Sequence, residues 1–146
     1  MAFQCFAGGL FAGLGSLFFL MYNGAFSGAL AGFLSARGLG PTFFSFVVTH
    51  SAFELIAIVL SGAAGLKIGS ALLAPGRLSR TQSLMTATRE SAILLYGVTV
   101  LLFVAAMIEA FWSSAPWLPH TAKYASGAVS WAAVVGYVTY RGRRAR

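Results

Sequence analysis

Charge is what this chain lacks most. Of its 146 residues only 9% are acidic or basic, the acids number three, and aspartate is absent. Soluble domains carry roughly a quarter charged residues, so an ordinary water-exposed surface is excluded. The Ser-His-Asp form of a hydrolase goes with the aspartate, and Ser51 or Ser113 beside His50 would lack its third member. Cysteine is reduced to Cys5, which rules out an intramolecular disulfide and any multi-cysteine metal site. It reads as a small apolar filler. The histidines are His50 and His120, and H-E-x-x-H, the helix of a zinc peptidase, is missing. No metal or cofactor and no catalytic constellation is expected.

What fills the chain instead is apolar: 58% hydrophobic residues, with no charged side chain from Met1 to Ala36. An uncharged apolar run of about 18 residues is already a transmembrane candidate. Met1-Ala2-Phe3-Gln4-Cys5 has no basic n-region, and the stretch behind it is too long for the core of a cleavable signal. The pattern predicts an all-α, polytopic transmembrane helix bundle forming one membrane domain over 1–146, with four spans at about 6–35, 52–74, 91–112 and 124–140. Residues 42–49 read as a short re-entrant or interfacial helix. The reason is Ser51-Ala52-Phe53-Glu54, which fits a capping box and would start a new helix there. The polar 75–90 loop has room for a short surface helix. Pro116 and Pro119, flanked by Trp112, Trp117 and Tyr124, mark a loop at the membrane interface.

The net charge of +7 is not a nucleic-acid footprint, because the bases sit between apolar segments and in the 141–146 tail. Arg77, Arg80, Arg89, Arg141, Arg143, Arg144 and Arg146 lie on one side of the expected bundle, Arg37 and Lys123 on the other. Seven against two places the loop, the C-terminus and, with four spans, the N-terminus in the cytoplasm. Lys67 lies inside a span, near enough its basic end to snorkel.

Gly24, Gly28 and Gly32 recur every fourth residue, preceded by Gly9 and Gly13 and echoed by Gly65 and Gly69. Small residues at that spacing let helix backbones approach closely, within the bundle or across a homodimer seam. The Asn23 amide is expected to bond to another helix, at a gain of about 0.6 to 2 kcal/mol. His50 and Glu54 would share a face if one helix ran through both, whereas the capping box offers Glu54 a purely structural task. Glu109 lies near the outer end of the third span. If it converged with His50 and Glu54, the three would form an acidic pocket suited to a proton, a cation or a basic group on a partner.

Three blocks carry a resemblance. They are Thr49-His50-Ser51-Ala52-Phe53-Glu54-Leu55-Ile56-Ala57-Ile58, then Gly62-Ala63-Ala64-Gly65-Leu66-Lys67-Ile68-Gly69 with Pro75-Gly76, and Ala105-Ala106-Met107-Ile108-Glu109-Ala110-Phe111. Together with Gly13-Leu14-Gly15 and Tyr22-Asn23-Gly24, the chain resembles the stage II sporulation protein M family from about Gly8 to Arg143. Two departures stand out. Ser51 occupies the place where the family usually has glycine, and relatives usually carry a further membrane segment before the part matched. The chain thus reads as a short form or fragment; with that segment the whole protein would have five spans and an outer N-terminus. The resemblance implies a bacterial or archaeal cytoplasmic membrane protein, a scaffold or anchor that assembles with membrane or peptidoglycan-remodelling proteins. The alternative is a transporter or channel component built on His50, Glu54 and Glu109.

Overall fold

The structure, a computed structural model, describes residues 1–144 and the side chains through Tyr140. The expected basic tail over 141–146 lies outside the described side chains. The helices are α1 (Ala2–Ala7), α2 (Leu14–Ala36), α3 (Gly40–Leu73), α4 (Arg80–Ile108) and α5 (His120–Arg144). A single 3-10 turn, Gly8–Leu10, follows α1, and a wider π turn, Glu109–Ser113, ends α4. No strand occurs among the described residues.

Three helices are long and apolar enough to cross a membrane: α2, α3, and α4 with its π turn. The expected fourth span falls within α5. That helix has 25 residues, enough length, but Lys123 and the serines, threonines and tyrosines among its alanines and valines leave it less apolar than the other three.

The helix boundaries depart from the expected ones for physical reasons. α3 runs unbroken through 34 residues, about 50 Å, well beyond a hydrocarbon core of about 30 Å. The separate 42–49 helix is therefore its first two turns, and the capping box at Ser51 does not form. Ser51 Oγ donates instead to the Val48 carbonyl at 3.3 Å, as Ser45 does to Thr42 and Thr49 to Phe46. Each hydroxyl is satisfied three residues back along its own helix, so none needs an end to cap. The reciprocal bonds of a true capping box occur at α4, where Gln82 N donates to Ser79 Oγ and Ser79 N to Gln82 Oε1, both at 3.3 Å. Helix α4 begins there and continues without interruption, so the 75–90 loop holds no separate surface helix. Between α2 and α3, Gly38 takes φ +76° and Leu39 N returns to the Leu34 carbonyl at 3.0 Å, a left-handed helix stop. Pro41 then opens α3, where its missing N–H costs nothing.

The chain forms two compact units. The first comprises Met1–Ala29 and Ile56–Leu101. Its N-terminus is not the continuous span expected from residue 6. Ala12 and Gly13 both take positive φ, and the chain reverses between the 3-10 turn and α2. The reversal brings backbone against backbone. A methyl group on Gly8 would strike Gly15, one on Gly9 would strike Gly65, and one on Gly69 would strike Gly13. Ser16 Oγ donates to the Cys5 carbonyl at 2.6 Å and Ser61 Oγ to the Ala2 carbonyl at 2.5 Å. The core around these bonds is made of small side chains, among them Ala57, Ala64, Ser91 and Val98. In lipid this is the economical solution, since close approach gains dispersion that larger apolar groups would gain equally from the solvent.

The second unit comprises Leu30–Leu55 and Leu102–Arg146. There the first half of α3 packs on α5, and a methyl on Gly127 would lie 2.7 Å from the Val48 carbonyl. Aromatic N–H and O–H groups tie the unit together. Trp131 Nε1 donates to Ser51 Oγ at 3.2 Å, Trp112 Nε1 to Ser126 Oγ at 3.1 Å, and Tyr124 to the Pro41 carbonyl at 3.4 Å.

Candidate functional site

The second unit holds a buried polar cluster. α3 contributes Ser45, Thr49 and His50, the end of the π turn contributes Ser113, and α5 contributes Lys123. Each is less than a tenth exposed. His50 Nδ1 lies 3.1 Å from Ser113 Oγ and 3.4 Å from Thr49 Oγ1, and the Thr49 and Ser113 hydroxyls are themselves hydrogen-bonded. The Phe46 ring meets the imidazole edge-on at 5.4 Å. The π turn explains how Ser113 arrives: one extra residue in the turn lets its Oγ reach back to the Ile108 carbonyl at 3.2 Å while facing α3.

The Ser113 carbonyl accepts from Lys123 Nζ at 2.7 Å. This cation at the C-terminal end of α4 is favoured by the helix dipole. His120 Nδ1 lies 2.7 Å from Ser45 Oγ.

Of the three groups expected to converge, two meet. His50 Nε2 faces Glu54 Oε2 at 3.8 Å, one turn apart on α3. That is ion-pair range and too long for a hydrogen bond. Glu109 opens the π turn, is exposed, and makes no side-chain hydrogen bond or ion pair among the described residues. The order Glu54, His50, Ser113 invites comparison with a triad, but the serine is 1% exposed and its proton has the Ile108 carbonyl, Thr49 and His50 to share. A nucleophile needs its oxygen open to substrate. Among the described residues no group of three or more His, Cys, Asp or Glu side chains is placed to hold a metal.

The remaining sequence-level candidates divide. Gly65 and Gly69 are packing glycines within the first unit. A methyl on Gly24, Gly28 or Gly32 would meet nothing within 4 Å. Asn23 beside them is half-buried and makes no side-chain hydrogen bond among the described residues. The bond expected to another helix is not made, because no residue in the most apolar stretch of α2 is buried. Sequence reasoning left out Lys123, counting it only as a charge in a loop. Its signal was its position, four residues past Pro119 at the head of a helix.

A helical chain with three apolar helices of spanning length, polar side chains gathered inside and aromatic surfaces outside, is a membrane protein. It belongs to the stage II sporulation protein M family, whose model matches residues 1–114. The match ends at the π turn, short of the Arg143 to which the likeness was expected to run, and α5 lies beyond it. Neither the curated proteins nor the solved structures contain a match.

Proposed function

We propose that this protein is a multi-pass scaffold of the cytoplasmic membrane, with its C-terminus in the cytoplasm, which assembles with other membrane or cell-wall remodelling proteins. The observation that carries the reading is the state of α2. It has the length of a span, its most apolar stretch has no buried residue, and one side of it is a row of glycines with the unbonded Asn23 amide alongside. A helix bordered by lipid alone gains nothing from such a row, whereas a partner helix gains close backbone approach and a hydrogen-bonding amide. The partner is a transmembrane helix of another protein or of a second copy. A tagged protein purified in mild detergent is expected to bring a stoichiometric partner with it, and Gly28→Leu is expected to release that partner. Recovery of the bare monomer from native membranes would sink the proposal.

A second reading rests on the buried row of His50, Thr49 and Ser113 with Glu54 at its half-exposed end. Ionisable groups at membrane depth often mark an ion or proton path. Proton or cation flux in proteoliposomes, abolished by Glu54→Gln, is the expected result of that reading; flux equal to empty liposomes over several ions and pH values rejects it.

A further inference from the structure

Beside the cluster in the second unit lies a cavity of about 710 Å³, formed where the head of α3, the 114–119 loop and the start of α5 meet. None of its lining residues is acidic. Lys123 and His120 are its basic side chains, and Thr42, Ser45, Ser113 and Ser114 bring hydroxyl groups to the wall. Phe46, Trp117 and Leu118 give it an apolar side.

Lys123 is the group that needs explaining. It is 8% exposed, and among the described residues no carboxylate stands within ion-pair distance of it. Its ammonium has three hydrogens, and one goes to the Ser113 carbonyl. The end of α4 offers about half an elementary charge of opposite sign, which leaves the cation under-compensated. Burying a charge without a partner is costly, so such groups are normally paired. The protein's own acids do not do it: Glu54 faces His50, Glu90 pairs with Lys67, and Glu109 lies exposed.

We propose that this cavity binds a phosphate group, with Lys123 Nζ as its charge and the Thr42 hydroxyl, whose proton is taken by no hydrogen bond among the described residues, as a donor on its wall. Lysine serves phosphate as a point charge whose rotatable donors adapt to a tetrahedral set of acceptor oxygens. The volume lies in the range that holds a whole small molecule and exceeds what one oxyanion requires. With Phe46, Trp117 and Leu118 on one side, the site suits a phosphate that carries an apolar body. Its source is either a lipid headgroup or free phosphate. Part of the lining, including Trp117, His120 and Lys123, lies outside the 1–114 family match.

The test is a thermal-unfolding titration of the full-length protein in dodecyl maltoside with four probes: phosphatidylglycerol, phosphatidylcholine, oleate and inorganic phosphate. Wild type, Lys123→Gln, Thr42→Ala and the surface control Lys67→Gln are compared. A saturable rise in Tm with phosphatidylglycerol, its midpoint weakened at least tenfold in Lys123→Gln and unchanged in Lys67→Gln, supports the site and assigns it to lipid. The same pattern with inorganic phosphate supports it and assigns it to the free anion. If Lys123→Gln does not fold, Thr42→Ala is expected to weaken the midpoint about threefold or more. No shift with either phosphate source, equal shifts with oleate, or equal midpoints in wild type and the foldable site variants overturns the proposal.

Discussion

His50 Nδ1 and Ser113 Oγ meet at 3.1 Å across 63 residues of sequence, and through them the start of α3 is tied to the end of α4. The bond is buried at both ends, so the removal of one partner leaves the other with unmet polar demand. Ser113→Ala is expected to lower stability by about 1–3 kcal/mol, read as a fall in Tm in detergent. The exposed neighbour Ser114, changed in the same way, is expected to stay within about 0.5 kcal/mol of wild type. Equal effects would mean that the cluster carries no stability.

The two sets of glycines predict opposite outcomes for the same substitution. Gly65→Ala places a methyl against Ser16 Oγ and the Cys5 carbonyl. With backbone on both sides there is little room to give, and a loss of about 1–3 kcal/mol or failure to accumulate is expected. Gly28→Ala meets open space and should leave the isolated monomer unchanged or up to about 1 kcal/mol more stable. Its effect, if α2 is a docking face, will appear only in the assembled state. Thermal unfolding of both variants in detergent separates the two cases.

Cys5 is fully buried beneath the reversal that precedes α2, and burial pushes its thiol above the ordinary range. Both facts disfavour the thiolate that alkylates. N-ethylmaleimide is expected to spare the native protein at neutral pH and to label it after denaturation in dodecyl sulfate. The same shift has a sign for stability. The folded state holds the proton more tightly, so Cys5 contributes stability below the ordinary thiol pKa, and that contribution is lost as pH rises through the raised value. Rapid labelling of the native protein would show that α1 is not seated as described.

Orientation is open to direct test at two exposed serines. In a Cys5→Ser background, an impermeant maleimide applied to intact cells should label Ser114→Cys and spare Ser79→Cys. The reverse pattern would invert the proposed topology. Ser51 and Ser113 would be poor probes, since both are buried against protein.

Much of the helical content was legible because uncharged apolar runs in a chain this poor in acids have few alternatives. What could not be read was where a helix pauses. Ser51-x-x-Glu54 and Ser79-x-x-Gln82 carry the same signature, and only the second caps. The difference is context: Ser51 lies inside an apolar helix with a free carbonyl lone pair at Val48, while Ser79 follows Pro75-Gly76 and has solvent around it. Gly9 and Gly13 belonged to a pattern that reads as helix packing, and its spacing concealed a chain reversal. In the site, the His50–Glu54 spacing was visible as soon as one helix ran through both. The pairing with Ser113 depends on a π turn, and the isolation of Lys123 on which acids lie elsewhere; neither leaves a local trace in the sequence.

The seating of α1 has a consequence for how the protein is made. The Ala2 carbonyl receives its bond from Ser61, 59 residues later. At about 5–20 residues per second, the ribosome takes roughly 3–12 s to supply that serine after Ala2 has been added. Through this interval Gly9 has no Gly65 to lie against, and the carbonyl that Ser61 will satisfy must find water or the insertion machinery. Helix α1 thus docks only after the middle of α3 has been made, and α4, which belongs to the same unit, follows later still.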